Sequence, residues 1–459
     1  MSDAKGIRKR DLGNRITPWQ AWASFDVGQR PFNVLILSYI FAPYFAASLH
    51  TDPVRGQIAW GLTIALAGLA IAILAPLLGA VADAAGPKKP WIAVFGALLV
   101  AGSAVLWWAR PGAEIAIPWA IAAVVVAIIG SELSIVFHNS LLPLLARRGE
   151  LGRLSAFGWA MGGAGGVAAL LVVLAALAID PRTGLTIGGW APAVSFDPPE
   201  STAGRMVGPL VAFWFTVFLI PMLLWMPDDR SCEKSFLSSA RKGLKDLRTT
   251  IAELRKDRKQ TTFLIAYLLF SDGLITLVSF GGVYAAGILG WGPIQLAGLG
   301  VVLGLVGLPA LLITGRLDDR IGPQRIVTCC IVVLCFATIG LLGVDRNGFF
   351  GMTIAGLSGP HFFLVFAILI GLAGAPLQAS SRTLMAHLAP RDRVTQMFGL
   401  LALSGRVTSF AGPALVALVT AATGSQRVGF SVALVFLLGG AALMLRLQRM
   451  MANEPQPIA

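Results

Sequence analysis

Charge is scarce in this chain. Asp, Glu, Lys and Arg make up 13% of its 459 residues, against 56% hydrophobic. A soluble protein carries roughly 25% charged residues, so a water-exposed globule is excluded: too little polar surface is available to cover the apolar mass. Histidine and cysteine are scarcer still, four of each. Cys232, Cys329, Cys330 and Cys335 match no zinc or redox spacing, and three of them share one apolar run, so they read as small buried thiols. No His/Cys cluster offers a metal site and no nucleophile stands beside a base. No metal, cofactor or enzymatic activity is therefore expected. The G-x-x-x-x-G-K-S/T phosphate loop is absent, which argues against ATP hydrolysis. Gly162-Gly163-Ala164-Gly165-Gly166 lies in an apolar segment and reads as a close helix contact rather than a nucleotide loop.

What is abundant is apolar sequence in runs of about 20 residues, the length that crosses ~30 Å of hydrocarbon. In lipid the backbone must bond within its own segment, so these runs read as helices. Twelve spans are expected: 25–48, 57–81, 91–109, 116–138, 154–178, 206–226, 261–285, 293–314, 324–344, 361–384, 398–421 and 427–446. The fold class is an all-α membrane protein. A polar linker, 227–260, with ten basic and six acidic residues, separates a six-helix bundle over 25–226 from a second over 261–446. Polar segments 1–24 and 447–459 flank them. Residues 1–24 carry Lys5, Arg8, Lys9, Arg10 and Arg15 ahead of a run long enough to stay in the membrane, so no cleaved leader is expected.

The net charge of +13 reads as loop charge on one side of a membrane rather than as a nucleic-acid surface. With the N-terminus in the cytoplasm, 27 of the 36 Lys and Arg fall in cytoplasmic segments and six in the opposite loops. That asymmetry places both termini and the linker inside. No Asn-x-Ser/Thr acceptor occurs, which fits a bacterial inner-membrane protein.

The chain repeats itself once. GAVADAAGPKK (79–89) follows the second span and GRLDDRIGPQR (315–325) follows the eighth. Gly79, Asp83, Gly86, Pro87 and Lys89 align without a gap on Gly315, Asp319, Gly322, Pro323 and Arg325. Phe157-Gly158 and Phe398-Gly399 are a weaker echo. Two six-helix halves account for both, and internal repeats of this kind are typical of secondary transporters. In each loop the first glycine admits a neighbouring helix, the aspartate suits a helix N-terminus or a basic residue, and the second glycine makes the turn. The loop resembles the signature loop of the major facilitator superfamily, which implies that it acts as a cytoplasmic latch broken when the transporter opens inward. Arg320 keeps the superfamily's arginine after the aspartate, whereas Ala84 replaces it in the first copy.

Six ionisable groups lie inside spans: Asp26, Arg30, Glu132, Asp272, Arg382 and Arg406. Each costs about 2.5–3.5 kcal/mol at a helix centre on insertion scales, so such groups read as functional. In a facilitator-type fold helices 1, 4, 7 and 10 line the central cavity, and five of the six fall on them. Asp26 and Arg30 are four apart and positioned to pair. Glu132 and Asn139 share a face, Asp272, Thr276 and Ser279 form a stripe, and Gln378 and Arg382 follow Pro376, a point of helix weakness. Asp272 lies deepest, which makes it the leading substrate or proton candidate; His138 reads as interfacial. The charges either bind solute and proton or gate the cytoplasmic mouth.

Several stretches resemble one branch of that superfamily, bacterial proteins related to a yeast autophagy-associated vacuolar amino-acid effluxer. They are WASFD (22–26) with FAPYF (41–45), GAVAD (79–83), SELSIVFHNSLLP (131–143) and GRLSAFGWAMG (152–162). YLLFSDG (267–273), GRLDDRIG (315–322), APLQASSRTLMAHLAPRDR (375–393), FGLLALSGRVTSFAGP (398–413) and TGSQR (423–427) complete the set. The resemblance implies that Asp26, Glu132, Asn139, Asp272, Gln378, Arg382 and Arg406 are the branch's polar positions. By analogy with the branch's yeast relative the resemblance implies amino-acid export. Both signs of charge in the presumed cavity suit a small polar or zwitterionic solute moved by proton-coupled or facilitative transport, and a monomer in the bilayer is expected. Two departures stand out: Val27-Gly28-Gln29-Arg30, where the branch has an aromatic, a small residue and Asn-Ser, and Ser271, where Asn is common. Transport of cell-wall fragments, lipids or drugs is the alternative, and a membrane sensor or scaffold is the reading of another class.

Overall fold

A computed structural model describes residues 16–49, 53–112, 116–179, 183–186, 188–194, 201–228, 257–291, 293–346, 348–350, 352, 358–405 and 411–452. Most of the expected linker, with Cys232, and the expected site residue Arg406 lie outside these described residues.

Each of the twelve expected spans is helical through most of its described residues. The first half comprises α1 (Pro18–Pro31), α2 (Pro53–Ala85), α3 (Lys89–Val105), α4 (Ala116–Ser140), α5 (Leu151–Ala176) and α6 (Ser201–Trp225). The second comprises α7 (Arg258–Tyr284), α8 (Pro293–Ile321), α9 (Pro323–Leu342), α10 (Gly359–Leu388), α11 (Val394–Ser404, with Ala411–Thr423 in the same expected span) and α12 (Val432–Ala452). Beyond α1 the first span continues as π-helix Phe32–Tyr39, a short helix Phe41–Tyr44 and π-helix Phe45–Leu49; beyond α7 lies π-helix Ala285–Leu289. Nine helices among the described residues are long and apolar enough to cross a membrane by composition.

The helices outrun the apolar runs that predict them, because hydropathy marks where lipid ends and not where backbone hydrogen bonding ends. α2 carries Asp83 within its last turn and α8 continues past residue 314 through Asp319. α1 starts on a capping box, with Thr17 and Gln20 each capping the other's backbone N–H. Proline does not divide α10, which is continuous through Pro376.

Apolar side chains cover the outer faces. On α2, Leu62, Leu66, Leu69 and Ile73 form an exposed stripe at helical spacing, while Ala67, Ile71 and Ala75 are buried on the other side. Phe213, Val217, Ile220 and Leu224 form a matching exposed stripe on α6, whose buried side carries Phe215, Leu219 and Met222. Helices apolar on both the outer and the inner face are expected when lipid, not water, is the solvent. Cys330 and Cys335 are buried free thiols, as the sequence suggests, but Cys329 is exposed on this outer face.

The glycine run on α5 does what small residues do in membranes. A Cβ at Gly158 would fall on the Asp26 carboxylate, one at Gly162 would lie 3.0 Å from the Asp26 carbonyl oxygen, and one at Gly166 would lie 2.8 Å from the Arg30 Cγ. α1 thus beds its charged face directly into α5.

Candidate functional site

The two repeated loops lie at one end of the bundle, here the loop end, and join the halves there. Gly86 and Gly322 have φ of +97° and +92°, a left-handed turn that a side chain resists, and proline in the first turn starts α3 and α9 beyond them. The turn leaves the preceding aspartate facing the opposite half. Asp83 Oδ1 accepts from the Thr395 N–H (3.1 Å) and Oδ2 from the Gln396 N–H (2.8 Å), at the start of α11. Asp319 Oδ1 accepts from the Gly152 N–H (2.8 Å) and Oδ2 from the Arg153 N–H (3.2 Å), at the start of α5. Each carboxylate therefore satisfies free N–H groups of a helix N-terminus and meets its partial positive charge. The backbones must be close for this. A Cβ at Gly79 would lie 2.8 Å from the Thr395 carbonyl oxygen, and one at Gly315 would lie 2.9 Å from that of Gly152.

The basic partners differ from those the alignment singles out. Lys88, not Lys89, pairs with Asp83 (3.1 Å), while Lys89 donates to the Leu223 carbonyl (2.9 Å). Arg153 of α5 pairs with Asp319 (3.0 Å), and Arg325 is exposed. Sequence reasoning missed Asp318 as well. It lies on α8, 3% exposed against Gly152, with an Oδ1 that has no hydrogen-bond partner among the described residues. Its neighbour Asp319 hid it, since only one of the two aligns with the first loop.

A cavity of about 450 Å³ opens between the halves. α1 contributes Asp26, Gln29 and Arg30, and the π-helix that continues it contributes Asn33 and Leu37. α4 gives Glu132, Ile135 and Asn139; α7 gives Tyr267, Ser271 and Ile275; α10 gives Gln378 and Arg382. Tyr267 donates its hydroxyl hydrogen to Gln378 Oε1 (3.3 Å).

Arg382 closes the cavity floor. Its Nε donates to Ser155 Oγ (2.9 Å), Nη2 to the Ser155 carbonyl (2.5 Å) and Nη1 to Asn139 Oδ1 (3.2 Å). Nη1 also lies 3.5 Å from Asp26, and the guanidinium carbon lies over the Trp22 ring, 4.8 Å from its centroid. One side chain of the second half is thus held by α1, α4 and α5 of the first.

Three expectations are corrected by this arrangement. Asp26 pairs with Arg382 across the halves and not with Arg30, whose guanidinium instead lies over Trp159 at 4.2 Å. Asp272 is fully buried and is not among the cavity-lining residues; Thr276 donates to its carbonyl (2.7 Å), and Ser271 and Ile275 take the cavity face of α7. His138 is not interfacial. It is buried between Trp22 and Phe25, with ring centroids at 4.4 and 4.2 Å, and its Nε2 meets the Trp22 carbonyl at 3.0 Å. Among the described residues no group of His, Cys, Asp and Glu is placed to hold a metal.

Solved structures define the class. At 11% identity and a TM-score of 0.70, the chain matches the major facilitator superfamily transporter FucP in the outward conformation, over 94% of this chain and 99% of that one. A bacterial homologue of the iron transporter ferroportin, in an outward-facing state, gives 0.67 at 12% identity over 95% and 100%. The fold is the twelve-helix major facilitator fold, and the chain is an integral membrane protein. Residues 60–454 match the family model described as vacuole effluxer Atg22 like, and the chain belongs to that family. It is 24% identical to the uncharacterized MFS-type transporter YxiO of Bacillus subtilis (strain 168), over 91% of this chain and 92% of that protein. It is also 28% identical to autophagy-related protein 22 of Yarrowia lipolytica (strain CLIB 122 / E 150), over 52% of this chain but only 44% of that longer relative. These relatives and the fold are those of transporters, not enzymes.

Proposed function

We propose that this transporter moves a small polar or zwitterionic solute, amino-acid-like, by alternating access through the cavity between its halves. The carrying observation is a central cavity lined by both signs of charge and shut at the loop end by two pseudo-symmetric carboxylate latches. A volume of about 450 Å³ suits a solute of amino-acid to dipeptide size better than a lipid or a cell-wall fragment. The loop end is the cytoplasmic face, since the positive loops gather there. In that orientation the termini are cytoplasmic, the membrane is a bacterial inner membrane and the arrangement faces outward. The family's description as effluxers favours export.

The gate comprises Gly79, Asp83, Gly86, Gly315, Asp319 and Gly322, with Lys88 and Arg153 as its cations. Asp26, Asn139 and Arg382 form the floor that parts when the gate opens. Glu132, Gln378 and Arg30 face solute. Glu132 is the proton candidate within the cavity, and Asp272 is the candidate behind its wall.

Purified protein in liposomes loaded with a pH-sensitive dye tests this. Amino acids, dipeptides, sugars and cell-wall fragments are screened with wild type, Glu132→Gln and Asp272→Asn. Protein-dependent solute flux that carries protons in wild type and not in one variant supports transport and coupling. Flux without proton movement removes the coupling and leaves transport. Absence of flux for every solute from a folded sample removes the substrate class.

A further inference from the structure

Arg30 is the cavity residue whose chemistry the gate does not use. Arg382 spends its donors on Ser155, Asn139 and Asp26. Arg30 lines the cavity four residues from Asp26, whose carboxylate attracts it, but its guanidinium lies over a ring and Asp26 makes its direct contact with Arg382. With Asp26 engaged by Arg382, the three charges leave one net positive charge at the α1 side of the cavity.

Its position is built. The stem runs past Gly166, where a Cβ would lie 2.8 Å from Cγ, so only glycine leaves it room. The guanidinium carbon lies over the Trp159 ring, 4.2 Å from its centroid. A guanidinium held over a ring keeps its planar fork of donors, able to bond two oxygens at once, and loses little freedom in doing so. Both supports, the notch and the ring, come from α5.

We infer that Arg30, held over the Trp159 ring, is the carboxylate-recognising residue of the cavity, so that the transported solute carries a carboxylate. The inference rests on the transport reading above and narrows it: the fork of Arg30 takes the carboxylate edge-on, and a solute amine meets the acidic side of the cavity at Glu132. The carboxylate leaves Arg30 when α1 and α5 move with the first half.

The test is binding rather than flux, so that it fails separately from transport. Full-length protein in lipid nanodiscs is titrated with paired probes, L-leucine and L-leucinamide, glycylglycine and glycylglycinamide, succinate and succinamide, with thermal stabilisation and tryptophan fluorescence as readouts. In wild type at least one carboxylate binds about ten- to a hundredfold more tightly than its amide, the range expected for a charge-assisted pair. Arg30→Gln abolishes that preference. Arg30→Lys, which keeps charge and stem but not the planar fork, retains only part of it. Amides that bind as well as their acids in wild type, a panel in which no carboxylate binds, or a preference unchanged in both variants overturns the proposal. Arg30-dependent binding without flux in liposomes would remove the transport reading alone. Flux without carboxylate preference would remove only the role of Arg30.

Discussion

Arg382 shows how much one buried cation can hold. Its contacts with Asp26, Asn139 and Ser155 make a single side chain the fastening of α10 to three helices of the other half. Removing it takes from the largely buried Asp26 carboxylate its direct partner and leaves only the attraction of Arg30. Breaking a buried pair by deleting one partner costs about 3–5 kcal/mol. Arg382→Gln is expected to lower the melting temperature of the purified protein clearly, and Asp26→Asn in the same chain to recover part of the loss. Losses that simply add in the double variant would show that the two do not interact. Sequence reached both residues as candidates, because a charge in an apolar run is visible by itself. It missed their pairing, because a partner 356 positions away leaves no local pattern. The misplacement of Asp272 has a geometric cause: counting from a span end gives height in the membrane, but the adjacent residue points about 100° away around the helix.

At the scale of elements the repeated loop carried the most information. Gly-Pro at a helix junction, an aspartate three residues earlier and a glycine four before that proved to be a turn, an N-terminal cap and a close approach. What the loop could not show was the origin of its cations, since Arg153 belongs to another helix and Lys88 and Lys89 are neighbours of equal type. A bulky residue at the close approach should hold the latch apart. Forced overpacking costs about 1–3 kcal/mol, enough to raise an open fraction roughly five- to a hundredfold. In a background without native cysteines, Ser380→Cys is buried and should react slowly with a water-soluble maleimide. Adding Gly315→Val should speed that reaction markedly, and equal rates would show that the contact does not control access. The π-helical stretches of the first and seventh spans occupy corresponding places in the two halves. Periodicity cannot reveal them, because a π turn shifts the hydrogen bond by one residue while leaving composition unchanged.

For the molecule as a whole, twelve spans, two halves and a charged centre were legible from hydropathy and repetition, whereas the state of the machine was not. Both carboxylates are engaged and the cavity floor is fastened, which under the proposed alternating access is one arrangement of two. The central claim is that the carboxylate latches hold this arrangement against a second one, open at the loop end. Spin labels at Gly149→Cys and Arg320→Cys, both exposed at that end, report the separation of the halves in lipid nanodiscs by pulsed dipolar spectroscopy. The account predicts a distribution dominated by one short distance in the parent chain. A second, longer distance should gain population when Asp83→Asn and Asp319→Asn are added. A distribution unchanged by loss of both carboxylates would contradict it.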